Sequence, residues 1–507
     1  MRGKQWLTKM FAGIIVRKTN KWVSNGIEYQ KKTLNYLISQ GKETKFGKDH
    51  HFAQIHDYES FKKHVPIRSY EDIREYIERV KSGEKDVLWP GRPIYFCKSS
   101  GTTSGVKYLP ISKESLPNHI NSARNALLNY IHENNHPELV NGKMIFLQGS
   151  PELSSTKGIP TGRLSGIVAH HVPKYLQSNR LPSFKTNCID DWEEKVDAVV
   201  EETIDENMTL IGGIPPWLQM YFMKVLERSG KKTIKEVFPA LQLIVFGGVN
   251  FNPYKKTFKK LIGPNVDFLE VYPASEGFFA YQNSLKEKDL LLLLNENIFY
   301  EFIPAEESMS TFPNRICIEN VELNKNYALV VNSNAGFWGY LIGDTIKFTS
   351  LNPYKIVVTG RINHFISAFG EHVIAEEVES AIEEMAQIEN IQIIEFTVAP
   401  QVNPENNELP YHEWFIEFEK ASNDLHSLGK KLDLLLRKKN IYYDDLIVGN
   451  ILQPLKITPV RSSGFKKYME LSGKIGGQNK VVHLCNDRSV ADQLDKLKVT
   501  LKTSKPD

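Results

Sequence analysis

Apolar positions along this chain switch between two spacings, and the order of the switches predicts its architecture. From Tyr70 to Lys81 and from Trp192 to Thr203 they recur at three- and four-residue intervals, which predicts amphipathic helices. Short apolar runs at Lys143 to Gln148, Leu241 to Phe246 and Val266 to Tyr272 read as strands. Helices interleaved with strands predict parallel sheets covered by helices, an α/β fold. From about Ile298 to Phe348 the spacing tightens into β segments at Phe299 to Ile303, Ala328 to Asn332 and Thr345 to Phe348, which predicts a β-rich subdomain. After Gly360 an α+β alternation begins. It has a helix at Ala375 to Ala386, strands at Ile391 to Val398 and Trp414 to Phe418, and a long helix at Leu425 to Lys438. A chain of 507 residues exceeds a single core. The change of pattern sets the boundary near Arg361 to Asn363, giving a large domain over 1–360 and a smaller one over 361–507.

Composition narrows the partners. With 63 basic against 60 acidic residues the formal charge is only +3, so no global field favours nucleic acid, and small molecules are the expected partners. Cys97, Cys188, Cys317 and Cys485 form no Cys-x-x-Cys pair, which argues against a zinc site or a disulfide framework and suits a reducing cytoplasm. Near the start, Leu7, Met10, Phe11, Ile14 and Ile15 share one helical face among basic residues. That pattern fits a membrane-surface helix or, as expected here, a helix packed on its own domain. Gly13 and Arg17 interrupt the run too soon for a signal peptide or a membrane span.

Three clusters carry chemistry. Ser99-Ser100-Gly101-Thr102-Thr103-Ser104-Gly105 follows the apolar Ile94-Tyr95-Phe96 and leads into Val106-Lys107-Tyr108. Such a loop turns backbone N–H groups inward and adds hydroxyl donors, which a polyphosphate requires. Three residues, not four, separate Gly101 from Gly105, and Lys107 follows a valine, so this is not a Walker loop; the dinucleotide fingerprint spacing is absent too. Alone, the run reads as a flexible surface turn, and it is the clusters further along the chain that overturn that reading. The second cluster, Val271-Tyr272-Pro273-Ala274-Ser275-Glu276-Gly277, ends a predicted strand, where open parallel sheets gather ligands. Glu276 suits a magnesium ion shared with phosphate oxygens, and Tyr272 a stacking face for a base. The competing reading is a turn in which Ser275 caps a following helix. The third cluster is Trp338-Gly339-Tyr340-Leu341-Ile342-Gly343-Asp344, followed by Gly360-Arg361-Ile362-Asn363-His364 and Ala368-Phe369-Gly370-Glu371-His372-Val373. A carboxylate fixed by a glycine turn suits the two ribose hydroxyls, with an arginine nearby for ribose or phosphate oxygens. Singly, Gly343-Asp344 is a hairpin or bulge signal.

The succession SSGTTSG, YPASEG, GYLIGD, TGRINHFISAFGEHV and GKIGGQNKV resembles the adenylate-forming superfamily of acyl-CoA synthetases, luciferases and peptide-synthetase adenylation domains. More narrowly, with VPIRSYEDIREYIERV and VLWPGRPIYFCKSSGTTSG, it resembles the Gretchen Hagen family, the auxin-responsive acyl acid amido synthetases of plants and their bacterial relatives. The resemblance runs through nearly the whole chain. It implies a luciferase-like adenylating fold in which a smaller C-terminal domain moves against the larger one. It also implies ATP and Mg²⁺, with a carboxylic acid and an amino acid as the other substrates, or CoA if the chain is instead an acyl-CoA ligase or stand-alone adenylating enzyme.

By motif, the resemblance implies that Ser99, Ser100, Thr102 and Thr103 belong to the phosphate loop. It implies that Tyr272, Ala274 and Ser275 line the adenine and α-phosphate region, with Glu276 as the magnesium ligand. Asp344 matches the family's ribose-binding aspartate, and Arg361 the arginine beside it. Asn363 stands at the interdomain hinge. For the adenylation lysine the resemblance favours Lys480 over Lys474. The acyl pocket falls among Gly162 to Ile167 and Gly213 to Trp217, where Arg163 suits a carboxylate and Trp217 an apolar floor, or else a surface residue and core.

Overall fold

The computed structural model describes residues 2–99, 106–172, 177–189, 191–249, 251, 254–308, 310, 313–362, 365–371, 373–404, 408–419, 424–471 and 481–501. Strands that are apolar on both faces must be covered on both, and Met208–Gly213 and Leu243–Phe246 accordingly lie side by side in the interior of a sheet. Among the described residues that sheet has 12 strands. Its parallel half runs Arg180–Leu181, Lys143–Phe146, Met208–Gly213, Leu243–Phe246 and Asp267–Ala274.

Asp267–Ala274 is where the sheet changes character, because it pairs parallel with Leu243–Phe246 on one side and antiparallel with Gly277–Tyr281 on the other. Beyond it Leu290–Leu292, Tyr354–Arg361, Tyr340–Leu351, Asn326–Ser333, Ile298–Pro304 and Ile316–Cys317 follow, all antiparallel. The β-rich stretch expected from the sequence is thus the antiparallel half of the same sheet. A smaller sheet joins Lys107–Ile111, Tyr95–Ser99, Ile159–Gly162 and Ser154–Thr156.

The helices form where the periodicity predicts them. Tyr70–Ser82 begins in a capping box, in which Ser69 and Asp72 exchange side-chain and backbone hydrogen bonds, and stops at Gly83, whose φ of 103° suits glycine alone. Trp192–Thr203 is capped by Asp191, whose side chain accepts from the Glu194 N–H. The first helix, Arg2–Val23, packs through buried Ala12, Ile15, Val16 and Trp22, and contacts Leu116–Asn134.

In the C-terminal part, Ile393–Gln401, Tyr411–Phe418 and Lys456–Val460 form a three-stranded sheet, packed with the helices Ala375–Glu389 and Leu425–Lys439. Its apolar face shares one core with the parallel half of the large sheet, Phe369, Val373 and Trp414 joining Ile244, Phe246 and Tyr254. Tyr254 OH donates to the Ala368 carbonyl at 2.5 Å across this junction. Beside it the turn Gly370-Glu371 is held from within: Glu371 pairs with His412 at 2.7 Å, both wholly buried, and accepts from the Phe369 N–H at 2.8 Å. An unpaired charge at this depth would cost several kcal/mol (~3–5), so this pair fixes the turn's geometry.

A second histidine ties the end of the chain to this domain. His483 bridges Glu379, at 2.7 Å, and Glu395, at 2.9 Å, joining the helix Ala375–Glu389 to the first strand of the small sheet. The hydrogen bond to Glu395 raises its pKa above the ordinary histidine value of 6.5, and Glu379 adds to it. A raised folded-state value means that the stabilisation is complete below the unfolded-state pKa and is lost as pH rises through the folded-state one. The thermal midpoint should therefore fall from pH 6.5 upward, and His483→Gln should flatten that slope in a calorimetric series; an unchanged slope would remove His483 as its source.

Candidate active site

Three β elements meet at the carboxyl end of Asp267–Ala274. The first is the hairpin of Tyr95–Ser99 and Lys107–Ile111, in which Ser99 stands opposite Lys107. Tyr70, at the start of its helix, fixes this hairpin by accepting from the Tyr108 N–H at 2.9 Å. Ser99 and Lys107 therefore flank the hydroxyl run, whose Ser100, Thr102 and Thr103 lie outside the described residues.

The second is the two-residue turn Ser275-Glu276 between Asp267–Ala274 and Gly277–Tyr281. No helix follows it, so Ser275 caps none. Asn118, on the helix Leu116–Asn134, clamps the returning strand: its Oδ1 accepts from the Phe278 N–H at 2.7 Å and its amide donates to the Phe278 carbonyl at 3.1 Å. The tip of the Ile298 side chain packs over Gly277, where a Cβ would lie 2.7 Å from its Cδ1. Ser275 hydrogen-bonds the buried Cys97, whose thiol burial pushes up to about 12, so this cysteine stays protonated and serves the joint between the two hairpins.

Glu276 projects between them, half-buried. Burial pushes its carboxyl up from the ordinary value, and the Lys107 ammonium is the strongest opposing influence. Lys107 is itself pushed down by burial and held up by Glu276. Sequence reasoning missed this partner, taking Lys107 only as a departure from the Walker spacing. Its place opposite Ser99, set by hairpin register, is the signal that would have found it.

The third element is a bulge. Ala328 pairs with Thr345 and Val330 with Leu341, so Leu329 stands against residues 342–344 and the strand must buckle. Gly343, at φ 92°, absorbs the distortion. The bulge signal read in Gly343-Asp344 is realised, and its effect is to aim Asp344 at two neighbours. Tyr272 OH donates to its Oδ2 at 2.6 Å and Arg361 Nε to its Oδ1 at 2.6 Å. Arg361 is its direct cross-strand partner, so the distant sequence motifs are one register pair. Tyr272 is buried with its ring edge-on to Phe279 at 5.2 Å, and what it commits to the site is its hydroxyl; burial, then the Asp344 charge, hold that hydroxyl well above its ordinary pKa.

Ser99, Lys107, Tyr272, Ala274, Ser275, Glu276, Asp344 and Arg361 thus converge. Asn363 and both lysine candidates, Lys474 and Lys480, lie outside the described residues. Arg163 pairs with Asp445 and lies 5.1 Å over the Tyr442 ring, so it joins the segment after Ile159–Gly162 to the C-terminal helix Ile441–Val448. Trp217 packs half-buried against the second core. No group of three His, Cys, Asp or Glu side chains suited to a metal occurs among the described residues. A single carboxylate, Glu276, fits magnesium held jointly with phosphate oxygens, the mode that ion favours.

The chain matches the GH3 family N-terminal domain over residues 15–183, the GH3 family central domain over 291–361 and the GH3 family C-terminal domain over 376–489. Jasmonoyl-L-amino acid synthetase JAR4 of Nicotiana attenuata is 22% identical over 439 residues, covering 73% of this chain and 75% of that protein. Indole-3-acetic acid-amido synthetase GH3.3 of Arabidopsis thaliana is 22% identical over 540 residues, covering 87% and 86%. The solved structure of the Arabidopsis thaliana acyl acid amido synthetase GH3.15 with 2,4-DB superimposes with a TM-score of 0.61 at 16% identity, over 97% of this chain and 96% of that one, and so has the same fold. With all three domains matched in family order over most of its length, this chain belongs to the GH3 family.

Proposed function

We infer that this protein activates a carboxylic acid with ATP and transfers the acyl group to the amine of a free amino acid. The observation that carries the reading is Asp344, held between Tyr272 and Arg361, with Glu276 and Lys107 close enough to influence each other's charge beside it. Two of the carboxylate's four lone-pair positions are taken by those donors, which leaves two for a pair of adjacent ribose hydroxyls.

The chemistry follows from what a carboxylate lacks. Its leaving group would be oxide, so neither amine nor thiol displaces it at neutral pH. Attack of the carboxylate oxygen on the α-phosphorus of ATP forms the new P–O bond and expels pyrophosphate, leaving an acyl-AMP anhydride. An amine then adds to the carbonyl, and AMP departs as the C–O bond breaks. The protein supplies position and positive charge.

In this reading Ser99, with Ser100, Thr102 and Thr103, holds the β- and γ-phosphates, and Lys107 faces them from the opposite strand. Tyr272, Ala274 and Ser275 border the adenine and α-phosphate, Asp344 and Arg361 hold the ribose, and Glu276 holds Mg²⁺, which when bound neutralises phosphate charge. Lys480 reaches the α-phosphate and the acyl carboxylate during adenylation. The domain beyond residue 361 turns about Asn363 between the two half-reactions.

The acceptor assignment rests on the relatives, two of them named for amino acid conjugation. It rests also on the absence from the sequence of a basic motif assignable to the phosphates of CoA.

Two measurements follow. Asp344→Ala should weaken ATP binding in a calorimetric titration by about 1.5–3 kcal/mol, the scale of hydrogen bonds to a charged group. Unchanged affinity would remove the ribose assignment. Incubation with ATP, Mg²⁺, a panel of carboxylic acids and either mixed amino acids or CoA, resolved by mass spectrometry, should yield amide and AMP; thioester without amide would replace the amino acid reading by an acyl-CoA ligase.

A further inference from the structure

The first helix buries one face and leaves the other apolar. Ala12, Ile15, Val16 and Trp22 pack inward, whereas Trp6, Leu7, Met10, Phe11 and Ile14 are 64, 54, 48, 40 and 39% exposed. At about 100° per residue those five fall on one continuous outward arc, and Arg17, Lys18 and Lys21, all exposed, continue it toward the helix end. Scattered surface apolar residues are ordinary, but five in one stripe are a patch that water covers at a cost.

The charge around the stripe is as one-sided as its polarity. Residues 1–27 hold Arg2, Lys4, Lys9, Arg17, Lys18 and Lys21 and no acidic residue, the first being Glu28, in a chain whose total charge is only +3. Among the described residues Lys9, Arg17, Lys18 and Lys21 form no ion pair. The Arg124 guanidinium adds a further cation at the rim, 5.7 Å over the Phe11 ring. The helix is held to the domain at both ends, where Lys4 Nζ donates to the Val140 carbonyl at 2.6 Å and Trp22 is buried.

We propose that this helix is a docking surface for an anionic lipid bilayer, with Trp6, Leu7, Met10, Phe11 and Ile14 entering the headgroup–acyl boundary and the flanking cations meeting lipid phosphates. An apolar stripe headed by tryptophan and edged with lysine and arginine is the combination that lies in a membrane interface, and both of its components contribute to binding. A second copy of the chain fits less well. A two-fold contact would set the same cations against each other with no acidic residue in the segment to pair them. The proposal is independent of the reaction at the nucleotide site.

Vesicle co-sedimentation of the full chain tests it. Wild type should sediment about tenfold more with vesicles of phosphatidylcholine containing roughly one-third phosphatidylglycerol than with phosphatidylcholine alone. Trp6→Ser with Met10→Ser, and separately Lys18→Glu with Lys21→Glu, should each remove that difference while the thermal midpoint stays at the wild-type value. Equal sedimentation with both vesicles would overturn the proposal, as would retention of binding by the serine variant, which would reduce it to charge alone. A wild-type dimer in sedimentation velocity that the serine variant dissociates would assign the stripe to a second copy instead.

Discussion

The position of Asp344 is the constraint on which the rest of the site depends. A buried carboxylate must be met by donors, and here both come through backbone register: Arg361 as the residue directly opposite, Tyr272 from the strand where the sheet turns from parallel to antiparallel. That strand ends in the Ser275-Glu276 turn, so the hydrogen bond that satisfies Asp344 also sets the distance between the carboxylate and the acidic turn. The hairpin of Tyr95–Ser99 and Lys107–Ile111 is attached to the same strand through Cys97 and Ser275 and through the attraction between Lys107 and Glu276. Loosening one register moves all three elements.

Much of this was legible in the sequence because it is locally encoded. Helix periodicity located Tyr70–Ser82 and Trp192–Thr203, and short apolar runs located the central strands. The Gly343 bulge was readable as a glycine before an aspartate. What could not be read was how segments far apart pair. The β-rich stretch gave no sign that it would join the parallel strands edge to edge, since sheet membership is a long-range property. Lys107 and Asn118 were missed for the same reason: one acts through its position opposite Ser99, the other by reaching a backbone 160 residues away. Tyr272 carried an aromatic ring that suggested stacking, but the ring is packed in the core and the hydroxyl does the contacting.

The C-terminal part adds a different kind of constraint. It shares a continuous apolar core with the parallel half of the large sheet, and Tyr254, Arg163 and the enclosed Glu371–His412 pair sit at or near that junction. In the proposed turning between two half-reactions, those contacts are exchanged for others of similar worth. The polar ones, Arg163 with Asp445 and Tyr254 with Ala368, are suited to such exchange because water or new partners can replace them at small net cost. Among the described residues, no helix is long and apolar enough to cross a membrane.

In the proposed reaction this assembly makes an acyl-adenylate before any amine takes part. Exchange of labelled pyrophosphate into ATP measures that step alone. It should require a carboxylic acid and Mg²⁺ and proceed with no amino acid or thiol present. Exchange that appears only when an amino acid is added, or none with any acid of a broad panel, would contradict the proposed reaction.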